Sequence, residues 1–127
     1  MNTLNFGPVA LVSANISWDI FVAKYSPSGE HLWSKNYGSP TITGFETDSG
    51  TGIVYSTSDN SIIVAGVYDT NVDFGGELLG RVSGVNSFVV KLNADGSRIW
   101  SRRLGGNNGT VARSVAIDKS GNILLTG

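Results

Sequence analysis

The sequence contains no cysteine and one histidine, His31, and only 15% of its 127 residues are charged. Without cysteine there is no disulfide, thiolate nucleophile or thiolate metal ligand, although the compartment stays open because many secreted proteins lack cysteine. One histidine cannot assemble a histidine-based metal site. No Gly-x-Ser-x-Gly elbow accompanies the many serines, so nucleophilic catalysis is not expected. The net charge is −1, with lysine and arginine scattered along the chain. That leaves no basic stripe for nucleic acid and no polybasic patch for a membrane. No run approaches the ~20 apolar residues of a membrane span, and the first five residues lack the basic-then-apolar pattern of a signal peptide. No 3.6-residue apolar period with caps occurs, so no helix is expected.

Glycine, by contrast, is abundant: 17 residues, which points to many turns. The chain also repeats itself. The segment Asp19, Ile20, Phe21 through Gly38 aligns without gaps on a second one beginning at Asn86, at a spacing of 67 (86 minus 19). Phe21, Val22, Lys24, Gly29, Trp33, Ser34 and Gly38 recur as Phe88, Val89, Lys91, Gly96, Trp100, Ser101 and Gly105. Val54, Ile62 and Gly66 recur as Val115, Ile123 and Gly127 at a spacing of 61 (115 minus 54), and Asn5, Phe6, Gly7 resembles Asp73, Phe74, Gly75 at 68 (73 minus 5). Self-similarity at such a period marks a solenoid, propeller or array.

Each unit reads as four strands. Ile53 to Ser58 and Ile62 to Tyr68 pair across a turn at Asp59 and Asn60; Phe88 to Leu92 and Arg98 to Leu104 pair across residues 93–96, where Asp95 and Gly96 give a hairpin signal. Val115 to Asp118 and Ile123 to Thr126 repeat the first pair. Phe88, Val90 and Leu92 share one face, while Val89 makes the other apolar as well. The strand at Phe21 behaves alike, with Ile20 and Val22 opposed to Phe21, Ala23 and Tyr25. Strands apolar on both faces belong in the middle of packed layers. The Trp33 and Trp100 strands mix aromatic and basic residues, as suits an outer strand, and their recurrence favours packing between units over sugar stacking.

These features, Asp19 to Gly38, its copy from Asn86, the Phe-Gly junctions at Phe6 and Phe74, and Ser114 to Gly127, resemble the bacterial β-propeller repeats of long secreted or surface proteins. The resemblance implies an all-β fold of four-stranded antiparallel blades and an extracellular or cell-surface setting. It carries over no catalytic residue and no cofactor. In blade phase the chain holds an outer half-blade with its preceding loop (5–38), a complete blade (53–104) and an inner half-blade (111–127). That is about two blades' worth of strands, an incomplete propeller, where closure needs at least about four. The expectation is a fragment of a longer propeller, with assembly of copies into a ring as the alternative; further blades in cis or in a homo-oligomer are the implied partners.

The short turns fall at one end of the strands and the long connections (39–52, 69–87 and 106–112) at the other. Loop insertions on one face of a repeat protein often mark its binding surface. The candidate ligand-binding residues are therefore Trp18, Phe45, Glu46, Asp48 and Asp69. The acids are read as solvated loop residues and not as a calcium site, which needs six to eight oxygens; Asp48→Ala is expected to leave folding intact. His31, answered by Arg98 in the second copy, is read as exposed. The functional expectation is a non-catalytic scaffold that binds protein or polysaccharide, with no metal and no cofactor. The alternatives are part of a propeller lyase or hydrolase with its catalytic residues in other blades, or a structural spacer.

Overall fold

The computed structural model describes residues 3–13, 18–40 and 47–127, and every regular element among them is a β-strand. In chain order these are β1 (Thr3–Asn5), β2 (Ala10–Val12), β3 (Ile20–Tyr25), β4 (His31–Tyr37), β5 (Ser49–Ser56), β6 (Ser61–Tyr68), β7 (Asn71–Val72), β8 (Leu79–Gly80), β9 (Asn86–Leu92), β10 (Arg98–Leu104), β11 (Ser114–Ile117) and β12 (Ile123–Thr126). One four-stranded antiparallel sheet runs β10-β9-β6-β5, and the hairpins β3-β4 and β11-β12 flank it. This is one complete blade between two half-blades. The first pair of the complete blade differs from expectation at its ends, beginning at Ser49 and closing at Ser56. Asn60 takes the left-handed conformation (φ 54°) and turns the chain into β6, which asparagine tolerates better than most residues.

The repeat in sequence is a repeat in geometry. In β9-β10, Leu92 pairs with Arg98 and Lys91 with Trp100, leaving Ile99 as a bulge. In β3-β4, Tyr25 pairs with His31 and Lys24 with Trp33, leaving Leu32 as the equivalent bulge. The turns before these bulges match as well. Gly96 N–H donates to Asn93 O at 2.9 Å and Gly29 N–H to Ser26 O at 3.0 Å, with both glycines at positive φ, 79° and 83°. Glycine enters this conformation without the Cβ penalty, so both copies retain it.

Alternation then distributes the core. Phe88, Val90 and Leu92 join Ile62, Val64 and Tyr68 on one face of the blade, which packs against Ile20, Val22 and Tyr37 of the first half-blade. On the other face Ile63, Ala65 and Val89 meet Ala112 and Val115, with Trp100, Leu104 and Leu125 partly buried against them. β6 and β9 are therefore apolar on both sides because each side is covered, as their sequence pattern predicts. Gly66 sits opposite Phe88; a Cβ there would lie 2.7 Å from the phenyl ring. The glycine makes room for the ring that crosses it.

Trp33 and Tyr37 join the first half-blade to the complete blade. Trp33 Nε1 donates to Ala94 O at 3.0 Å and Tyr37 Oη to Gly96 O at 2.8 Å. Both land on the β9-β10 turn, where Lys24 Nζ also donates to Ala94 O at 3.4 Å, so side chains of the first half-blade satisfy carbonyls of the complete blade. Burial, reinforced by the nearby Asp95 carboxylate, pushes the Tyr37 hydroxyl up from 10.0 to about 12. The expectation that the tryptophans pack between units holds at Trp33.

Candidate binding face

The meander topology puts the connections after β4, β6 and β10 at one end of the strands. The register places Ser49 beside Val67, Tyr68 beside Asn86 and Ser87 beside Leu104, so all the long connections leave from that end. The short turns 57–60 and 93–97 lie at the other, where Lys91 Nζ reaches Asp59 Oδ2 at 2.6 Å. That hydrogen bond, helped by those from Ser61 and Ser56, holds the exposed Asp59 carboxyl well below its usual range.

The candidate residues separate once placed. Trp18 lies two residues ahead of β3 at the long-connection end and is 63% exposed, held by a parallel bridge to Thr47 and by Asp48 N–H donating to Trp18 O at 2.8 Å. Phe45 and Glu46 lie outside the described residues. Asp48 is not a solvated loop acid. It is 3% exposed, because the bridge to Trp18 draws residues 47 and 48 against the start of β3. There its charge helps, behind burial, to raise the Tyr68 hydroxyl above its ordinary value, against the opposing charge of Arg103. Asp69 is half-buried, and its backbone oxygen accepts from Arg81 Nη1 at 3.2 Å. Of the described candidates, Trp18 alone offers a broad exposed surface.

His31 also departs from expectation. It is half-buried, with its ring edge-on to Tyr25 at 5.6 Å and the chain at Gly7 lying over it. Folding of the β1-β2 hairpin across β3-β4 causes this, with Tyr25 Oη donating to Phe6 O at 2.8 Å and Asn36 Nδ2 to Val12 O at 3.2 Å. Two clefts accompany these elements. One of about 260 Å³ lies between the β1-β2 hairpin and β3, walled by Leu4, Leu11, Trp18 and Phe21 with Asp19 and Asn36 as polar members. A second of about 440 Å³, where β4 meets the β7-β8 hairpin, is lined by Lys35, Ser39, Asp73 and Arg98 among others. Sequence reading did not single out Lys35 or Arg98 as binding residues; Arg98 standing where the first copy has His31 was the available signal.

Residues 99–127 match the family model described as a β-propeller repeat. The chain carries a β-propeller repeat. The matched segment runs from β10 through β12, the outer strand of one propeller blade and the inner pair of the next. No curated protein matches the chain. The eight strands in blade phase make an incomplete propeller, and no helix among the described residues is long and apolar enough to cross a membrane.

Proposed function

We propose that this chain is a non-catalytic propeller-repeat scaffold that binds a protein or polysaccharide ligand through its long-connection end, at or outside a bacterial cell surface. The observation that carries the reading is Trp18: a 63% exposed indole at the end where the long connections converge. An indole offers a flat apolar face to a sugar ring or an interfacial side chain, with an N–H left for hydrogen bonding. Trp18 replaces the Val85 of the second copy, and Val85 stays 39% exposed although its blade is covered by a neighbour. The position therefore stays open when blades stack. The extracellular setting rests on the likeness to repeats of secreted and surface proteins, and the absence of cysteine is compatible with it.

The test is a glycan microarray and a pull-down from purified cell-wall polysaccharide, comparing the native chain with Trp18→Ala. Retention of a defined glycan class, lost in the variant while its circular dichroism is unchanged, is the expected result. Equal retention by both proteins would overturn the assignment to Trp18. Release of new reducing ends or unsaturated sugars from the polysaccharide would overturn the non-catalytic reading.

A further inference from the structure

The β1-β2 hairpin packs on β4 as the β7-β8 hairpin packs on β10. Asn36 Nδ2 donates to Val12 O at 3.2 Å, and its counterpart Arg103 Nη1 donates to Gly80 O at 3.0 Å. The turn at Gly7 covers His31, and the turn at Gly76 covers Arg98, whose Nη1 would lie 2.9 Å from a Cβ on that glycine. The two junctions differ in charge. In the second copy four charged residues frame the contact, Asp73 and Glu77 on the hairpin and Arg98 and Arg103 on the outer strand. Glu77 Oε2 lies 3.9 Å from Arg98 Nη2, and Arg98 Nε donates to Ser101 Oγ at 2.9 Å. The first copy has Asn5 and Val9 in place of the two acids (spacing 68, 73 minus 5) and His31 and Asn36 in place of the two arginines (spacing 67, 98 minus 31).

His31 is thus the one side chain at its junction that changes charge near neutral pH. Residues 3–13 above it carry no charged side chain, and β3 presents to it the ring of Tyr25. The charged residues of β3, β4 and their flanks are directed elsewhere. Lys24 and Lys35 reach the complete blade at Ala94 and Gly96, Asp19 packs on Gly38, and Glu30 is exposed. His31 Nε2 and Ser34 Oγ are both buried, and neither has a hydrogen-bond partner among the described residues. Ser34 repeats Ser101, so the imidazole does not span the gap that Arg98 bridges in the second copy.

Histidine is the side chain that changes charge between about pH 5 and 8. A neutral imidazole leaves one nitrogen unpaired beneath the hairpin. A protonated one places a full charge there with no carboxylate to pair it, and an unpaired buried charge costs far more than an unpaired neutral group. Opening the hairpin returns the ring to water. We propose that His31 is a pH-sensitive latch: β1-β2 is docked on β3-β4 while the imidazole is neutral and is released when it is protonated. Docking is therefore strongest at the alkaline end of that range and is lost as pH falls. At the second junction the charge of Arg98 is permanent and Glu77 stands beside it, so β7-β8 stays closed across the same range. β2 leads in sequence to Trp18, and release of the hairpin loosens the segment that ends at this indole. That consequence rests on the binding role proposed for Trp18, whereas release itself is measured without a ligand, so the two fail separately.

The test is amide hydrogen exchange of the 127-residue chain at about pH 8 and pH 5, expressed as protection relative to the intrinsic rate at each pH. Protection across β1 and β2 is expected to fall at least about ten-fold on acidification, while that of β6, β9 and the β7-β8 hairpin holds. His31→Gln is neutral at both pH values and should keep β1-β2 protected at both. His31→Arg is charged at both and should leave the hairpin unprotected at both. The single histidine gives one set of imidazole signals in proton NMR, and its titration should run together with the loss of protection. Equal protection of β1-β2 at the two pH values in the native chain would overturn the proposal. A fall that persists in His31→Gln, or full protection at both pH values in His31→Arg, would overturn it as well.

Discussion

Tyr37→Phe removes one oxygen atom from the junction between the first half-blade and the complete blade and leaves the ring in place. The Tyr37 hydroxyl donates to Gly96 O at 2.8 Å, and the residue is only 6% exposed. Losing a neutral hydrogen bond costs about 0.5–1.5 kcal/mol, and stranding a buried acceptor adds toward about 1–3 kcal/mol in all. Water reaching the turn would satisfy part of the stranded carbonyl, so about 1–2 kcal/mol is expected. For a chain of this size that is a fall in melting temperature of roughly 4–8 °C. The pH dependence separates this account from a loss of packing. Burial raises the hydroxyl from 10.0 in the unfolded chain to about 12 in the fold. A folded-state value above the unfolded one means stability fully present below pH 10 and lost as pH rises through 12. Tyr37→Phe has no such proton to lose. In urea titrations followed by far-ultraviolet circular dichroism, the native chain should exceed the variant at pH 7, and the margin should shrink between about pH 10 and 12. A cost below about 0.3 kcal/mol at pH 7, or a margin constant to pH 12, would refute the reasoning.

Gly66→Ala forces a methyl group onto the Phe88 ring and the backbone at Ser49, and a cost of about 1–3 kcal/mol or more is expected from overpacking; chemical denaturation reads it, and an unchanged midpoint would mean the ring has room to move. Lys91→Met removes the partner that depresses Asp59, so the native chain's stability from this pair, present above the ordinary carboxylate value of 3.8 and lost as pH falls below it, should be missing from the variant. At neutral pH losing this exposed, solvent-screened pair should move the unfolding midpoint little; a two-dimensional NMR titration of Asp59 checks the direction. Trp18→Ala should change stability by no more than about 0.5 kcal/mol, as an exposed position away from the core does, whereas Trp33→Ala should cost about 2–4 kcal/mol through lost packing and its bond to Ala94. Equal costs at the two tryptophans would contradict their opposite placements.

Local patterns carried most of the fold. Period-two alternation, hairpin signals at Asp95-Gly96 and the internal repeat at 67 and 61 were enough to order the strands and to place β6 and β9 in the middle, because face and turn preferences act over a few residues. The matching bulges at Leu32 and Ile99 follow from the same repetition. Long-range packing decided the rest. Asp48 reads as a loop acid until the bridge between Trp18 and Thr47 carries it inside. His31 reads as exposed until the β1-β2 hairpin folds over it. Composition and order cannot show these, because each depends on residues distant in sequence meeting in space. Nor can they show that Phe21 is bare while Phe88 is covered: the two share a sequence pattern and a strand geometry, and only the presence of a neighbouring blade tells them apart.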